Sequence, residues 1–144
     1  MPVSSAPAWG WRHFPHGADI GVCGRGPGMA QAFEQAAMAL IAVMIDPEQV
    51  RPLQAVTIAC EAPDPETLLV DWLDAVIYAI ATRAMLFGRF EVAIAGTHLT
   101  ATAYGEPIDP ARHHPAVEVK GATYTALRVA REGDGWVAAC VVDV

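Results

Sequence analysis

The chain has 144 residues, of which 53% are hydrophobic and 17% charged, and its formal charge is −7. So much apolar side chain fills a core, which excludes a disordered tail, and the length is that of one domain. Sixteen acidic residues against nine basic ones exclude a protein that grips nucleic acid by neutralising phosphates.

The first residues, MPVSSAPAWGWR, hold neither a basic nor an apolar signal region, so residues 1–10 read as a flexible leader and 11–144 as a single domain. No apolar run is long enough to span a bilayer; the longest, Ala36 to Ile45, has the length of a helix core. Cys23, Cys60 and Cys140 are odd in number and lack CxxC spacing. Buried free thiols in a reducing cytoplasm are expected.

Arg12 to Gly26 reads as one or two short strands, interrupted by the run Cys23 to Gly28, CGRGPG. From Met29 the period becomes helical, with Phe33, Ala37, Leu40 and Met44 on one stripe. Asp46-Pro47 ends that helix, because the proline ring forbids its continuation. Val56 to Cys60 is a short strand. Asp64 then caps a second helix, with Pro65 at its first position and Glu66 at its positive end. Leu69, Leu73, Val76 and Ile80 form its buried stripe. Phe90 to Ala95 and Leu99 to Tyr104 alternate across Gly96-Thr97 as a hairpin. Gly105 to Pro115 is a loop with three prolines. Val117 to Ala130 and Trp136 to Val142 predict two long strands around a second hairpin at Glu132 to Gly135. The expected fold is α+β, a two-layer sandwich with two helices packed on one face of a mixed sheet.

Several residue groups can carry chemistry. The glycine-rich CGRGPG run opens a helix, where backbone N–H groups can hold an anion, but it lacks a phosphate-loop spacing and reads as a glycine turn. Asp71 and Asp74 lie one helical turn apart near Glu66, on a face expected to be solvated. His13 and His16 are candidate metal ligands without a specific spacing, and His98 and His114 read as surface histidines. Asp19 sits in a glycine-flanked turn. Asp143 adjoins Val144, whose α-carboxylate would complete a pair of hard oxygen donors suited to Ca²⁺ or Mg²⁺; a frayed end is the competing reading. Glu118 and Lys120 alternate on one strand face as an ordinary ion pair.

Six stretches, in order, resemble the archease family over Trp11 to Val144. They are His16-Gly-Ala-Asp-Ile-Gly21, Ala32 to Leu40 (AFEQAAMAL), Leu68 to Asp74 (LLVDWLD), Gly105 to His113 (GEPIDPARH), Glu118 to Tyr124 (EVKGATY) and the Asp143-Val144 ending. The resemblance implies an accessory protein, not an enzyme. It would activate an RtcB-type RNA ligase in tRNA splicing and RNA repair, promoting guanylylation and multiple turnover. It implies a divalent metal, commonly Ca²⁺ with Mg²⁺ or Mn²⁺ as alternatives, held by Asp19, Asp143 and Val144. Lys120 and His16 are the implied residues for partner contact and activation. This chain departs from the family pattern at Gly17, where a threonine is usual, at Met29-Ala-Gln31, where the first helix usually begins with acidic residues, and at Thr125, where histidine is common.

The expected partner is therefore the ligase protein, without strong direct binding of nucleic acid or membrane. An alternative is a chaperone-like modulator of another RNA-processing enzyme, such as a tRNA methyltransferase. A metal-dependent enzyme using His16, Asp19 and Asp143 is a third reading, and it lacks a recognisable nucleophile–base pair. Eight of the nine basic residues are arginine. Lys120 is the exception, which suggests that position 120 needs an amine.

Overall fold

In a computed structural model residues 9–144 are described, so residues 1–8 of the expected leader lie outside them. The first strand already begins at Gly10. The order is β1 (Gly10–His16), β2 (Asp19–Gly26), α1 (Met29–Met44), β3 (Gln54–Glu61), α2 (Pro65–Arg83), β4 (Met85–Ala95), β5 (His98–Pro107), α3 (Pro110–His113), β6 (Gly121–Ala122), β7 (Arg128–Glu132) and β8 (Gly135–Asp143). A 3₁₀ turn at Pro47–Gln49 follows α1, and the Asp46 carboxylate accepts the N–H of Glu48 at its start.

The α+β class is as expected, but the strands divide into two sheets and every pairing is antiparallel. One sheet runs β1–β2–β8, with β6 and β7 both on the far side of β8; the other runs β3–β5–β4. β3 and β4 share a sheet and are joined by the α2 crossover, but β5 inserts between them antiparallel to both, so no parallel pair forms.

α1 lies against both sheets, and its buried face is largely alanine: Ala32, Ala36, Ala37 and Ala39 are fully buried beside Phe33, Leu40 and Ile41. Small side chains let β2 come close. A Cβ at Gly24 would sit 2.2 Å from the backbone N of Ala36 and 2.3 Å from the carbonyl O of Ala32. For this reason the CGRGPG run is mostly strand rather than loop: β2 continues to Gly26 because its glycines give α1 room to pack. α2 is started by Asp64, which accepts the Thr67 N–H at 2.7 Å, and it is stopped by Ala84 in a left-handed conformation. Trp72 is fully buried and donates its indole N–H to the Phe33 carbonyl at 3.0 Å, so the two helices are joined by a hydrogen bond as well as by packing.

The long strand expected over Val117 to Ala130 is broken. Only Gly121–Ala122 and Arg128–Glu132 pair with β8. Between them Thr123 takes the Val141 carbonyl through both its N–H (3.0 Å) and its hydroxyl (2.8 Å). Ala126 is left-handed at φ 52° and turns the chain out of the ladder. Glu118 and Lys120 precede β6 as irregular chain, so they are not neighbours on a strand.

Crowding at Gly24 is testable. Gly24→Ala is expected to lower the unfolding free energy by about 1–3 kcal/mol, as overpacking does in a filled core, measured as a lower urea midpoint with the slope unchanged.

Candidate functional site

The antiparallel register gathers most of the candidate residues at one end of the five-stranded sheet. His16 and Asp19 are cross-strand partners where the β1–β2 hairpin closes. Ile20 pairs with Val142, which brings Asp19 beside Asp143 and Val144 at the end of β8. The Asp19 Oδ1 faces the Val144 N–H at 3.4 Å. From the opposite side the Lys120 N–H donates to the Asp143 carbonyl at 2.7 Å, and Gly121 pairs with Asp143. Asp143, Lys120 and His16 are exposed, while Asp19 and Val144 are half-buried. Lys120 takes part in no ion pair among the described residues.

Among the described residues no three His, Cys, Asp or Glu side chains converge on one point. At this end the carboxylate donors are Asp19 and Asp143, so a cation held here would need its further oxygens from the main chain or from water. Two carboxylates and a main-chain oxygen form an all-oxygen donor set, which fits a hard cation such as Ca²⁺ or Mg²⁺ and not Zn²⁺. Gly17 occupies the hairpin turn at φ +60°, with open space around it. A β-branched threonine is strained there, so the departure at this position suits the turn this chain makes.

Spacing does not reveal a second polar cluster, in the three-stranded sheet. Glu106 is buried at the end of β5. Its carboxylate pairs with the Arg112 guanidinium and accepts the Arg51 N–H at 2.7 Å. The ring of His113, also buried, stands 3.1 Å from Glu106 through Nε2, and its Nδ1 accepts the Asp109 N–H at 2.8 Å. Because Nδ1 is an acceptor, the ring proton sits on Nε2 and is donated to Glu106. Arg112, with the Arg51 N–H, holds the Glu106 carboxyl down at about 2 against an ordinary 4.5. The available signal was a glutamate placed after an alternating strand, followed six and seven residues later by Arg112 and His113. It lay inside the GEPIDPARH stretch that carried the resemblance.

The remaining candidates lie elsewhere. His13 bonds the Ala39 carbonyl at 2.7 Å, and exposed His98 stands 3.4 Å from Glu61. Arg25, in the glycine-rich run, pairs with Glu132. Asp74 accepts the Ala122 N–H at 2.8 Å, and Asp71 is half-buried beside Cys60. Cys23 and Cys140 are buried free thiols, and Cys60 is half-buried. Burial pushes the Cys140 thiol up to about 12; burial and Asp71 push Cys60 up to about 11. Neither forms a thiolate readily.

Two measurements follow. The folded-state pKa of Glu106 is depressed, so its stabilising contribution is complete above its ordinary 4.5 and is lost as pH falls toward about 2. Glu106→Gln is expected to be less stable at neutral pH and to show a flatter acid limb in denaturation series over that window. Gly17→Thr should cost about 1–2 kcal/mol through the left-handed backbone, read by the same denaturation.

Residues 11–144 match the Archease protein family (MTH1598/TM1083). The protein archease of Pyrococcus furiosus is 37% identical over 139 residues, which cover 93% of this chain and 98% of that protein. The protein archease of Sulfurisphaera tokodaii is 34% identical over 133 residues, covering 91% and 96%. The solution structure of Methanobacterium thermoautotrophicum protein 1598 superposes with a TM-score of 0.83 at 32% identity, covering 94% of this chain and 99% of that one. A crystal structure of a Thermotoga maritima archease, termed a possible chaperone, shares the fold at a TM-score of 0.57 and 18% identity, covering the whole of both chains. With its α+β fold and a match over nearly all its length, the chain belongs to the archease family.

Proposed function

We propose that this protein is an accessory factor that activates an RtcB-type RNA ligase, and that the Asp19–Asp143 end of the five-stranded sheet is its working surface. One observation carries the reading: Asp19, Asp143, Val144 and Lys120, from separate parts of the chain, meet at one sheet end. Family membership supports an accessory role, and the acidic charge favours a protein over bare RNA as the thing bound.

Asp19 and Asp143 would hold a divalent cation, Ca²⁺ before Mg²⁺ or Mn²⁺, with a main-chain oxygen of Val144. Such a cation supplies a concentrated positive charge that orients anionic groups. The side chains of this chain do the rest. The exposed Lys120 ammonium is a compact point charge free to meet a phosphate or carboxylate of the partner. His16, across the hairpin from Asp19, borders the same surface. The Glu106–Arg112–His113 cluster anchors the start of the segment that leads from α3 to Lys120.

The test is a multiple-turnover RNA ligation assay with an RtcB-type ligase, run with and without this protein, beside Ca²⁺ titration followed by calorimetry. Asp19→Asn should weaken Ca²⁺ binding by about tenfold or more, since a carboxylate charge is lost, and should abolish the stimulation. Lys120→Arg should keep Ca²⁺ binding and lose stimulation. Full stimulation by both variants would refute the assignment of this surface. Absence of any effect on the ligase, with stabilisation of an RNA methyltransferase instead, would favour the chaperone-like alternative; the name given to the Thermotoga maritima relative is in keeping with that outcome.

A further inference from the structure

We propose that the outer edge of β3 receives an extended, basic segment of another protein as an added strand. Asp74 of this surface bonds Ala122, next to the Gly121 that pairs with Asp143, so the surface adjoins the Asp19–Asp143 end, but the inference does not depend on the metal or on the ligase.

A sheet edge displays unpaired N–H and C=O groups, and proteins normally guard it with proline, charge, bulges or a covering element. Three edges of this molecule are guarded. β1 carries Pro15 and Arg12. β4 is covered by α1, and the Glu34 carboxylate accepts the Val92 N–H at 2.8 Å. The β6–β7 edge is split into two short pieces; Asp74 takes the Ala122 N–H, and Arg128, Arg131 and Glu132 give β7 its charge.

β3 differs from all of these. Its eight residues, QAVTIACE, contain no proline and no basic residue, and only the last is charged. Its register with β5 is continuous, without a bulge. Among the described residues no side chain or loop bonds its outer edge. An open groove of about 640 Å³ runs between this strand and α2, large enough for the side chains of a short peptide.

Charge selects the occupant. The groove is walled on the α2 side by Asp71, Asp74 and the exposed Tyr78, with Arg83 at the far end and Glu61 closing β3. Carboxylates outnumber cations there, and the whole chain is at −7. Asp71 and Asp74 stand about 4.5 Å apart along the helix axis. Lysines at alternate positions of an added strand, about 6.7 Å apart on one face, can reach both carboxylates. A second copy of this chain would bring its own surplus of acid to the same groove. Backbone hydrogen bonds would supply affinity and the alternating basic side chains would supply choice, as in other strand-addition sites.

The experiment uses the full chain and an end-capped (Lys-Val)₄ peptide, with (Glu-Val)₄ as control. Fluorescence anisotropy measures binding, and amide hydrogen exchange reads residues 54–61. Saturable binding of (Lys-Val)₄ is expected, with about tenfold slower exchange at alternate amides of β3. Binding should fall at least fivefold in Asp71→Asn/Asp74→Asn, in which residue 74 keeps its acceptor oxygen for Ala122. Two further peptides, each N-methylated on one alternating set of amides, separate strand pairing from charge alone: only the set facing β3 should abolish binding. The proposal is overturned by no binding of (Lys-Val)₄, by equal binding of (Glu-Val)₄, or by indifference to both methylation patterns. It is equally overturned by a concentration-dependent dimer that protects β3 without peptide, which would give the groove to a second copy.

Discussion

The alanines of α1 bring a strand so close to a helix backbone that Gly24 has no space for a side chain, and the rest of the architecture depends on that contact. A helix with large residues on every face would hold the two sheets apart. One faced with Ala32, Ala36 and Ala39 lets β2 come close, while Phe33, Leu40 and Ile41 are fully buried in the core on the same helix. The second helix is then bound to the first through the Trp72 indole and the Phe33 carbonyl. Burying a tryptophan N–H without that acceptor would be expensive, so the same bond that joins the helices also fixes their relative rotation.

The β2–β8 pairing is therefore more than a scaffold. With α1 holding β2, the antiparallel register carries Asp19 to the end of β8, and Asp143 and Val144 have one place to go. Lys120 arrives differently. Its segment has no ladder of its own and is held at one end by a main-chain bond to Asp143 and near the other by the Glu106–Arg112–His113 cluster. A buried carboxylate with a guanidinium, a backbone N–H and an imidazole N–H leaves few other arrangements for the loop. Short α3, with only four residues, has no stability by itself and depends on that cluster.

How much was legible follows from what each signal measures. Helix periodicity reports burial on one face, and the stripes Phe33, Ala37, Leu40 and Met44, and Leu69, Leu73 and Val76, are buried as expected; Ile80 is only partly so, because it lines an open groove with Met44, Ile77 and Ile108. The Asp64-Pro65-Glu66 start of α2 was readable because capping is local chemistry. Strand pairing is not local. The alternation from Val117 onward gives no hint that Thr123 would put both its N–H and its hydroxyl on the Val141 carbonyl, that Ala126 would turn out of the ladder, or that the strands would split between two sheets. Glycine was misleading in CGRGPG for a related reason: the sequence shows a turn former, whereas the structure uses it for clearance from α1. The candidate site drew its residues from the family resemblance, and the register explains why they are neighbours, which no spacing along the chain could do.

The unequal use of basic residues has a physical reading in this setting. Arg25, Arg89, Arg112 and Arg128 are each engaged with a carboxylate of the chain itself. The guanidinium suits that task because its fixed fork of donors forms a directed pair with two oxygens. Lys120 is exposed and has no acidic partner among the described residues, on a protein whose surface offers many. An ammonium on a flexible stem, left unpaired beside two aspartates at a sheet end, is poorly used for internal stability. It is well placed to meet an anionic group that another molecule brings. Four of the eight arginines are thus committed to carboxylates of the chain itself, whereas the lone lysine faces outward at the end where the chain's separate parts converge.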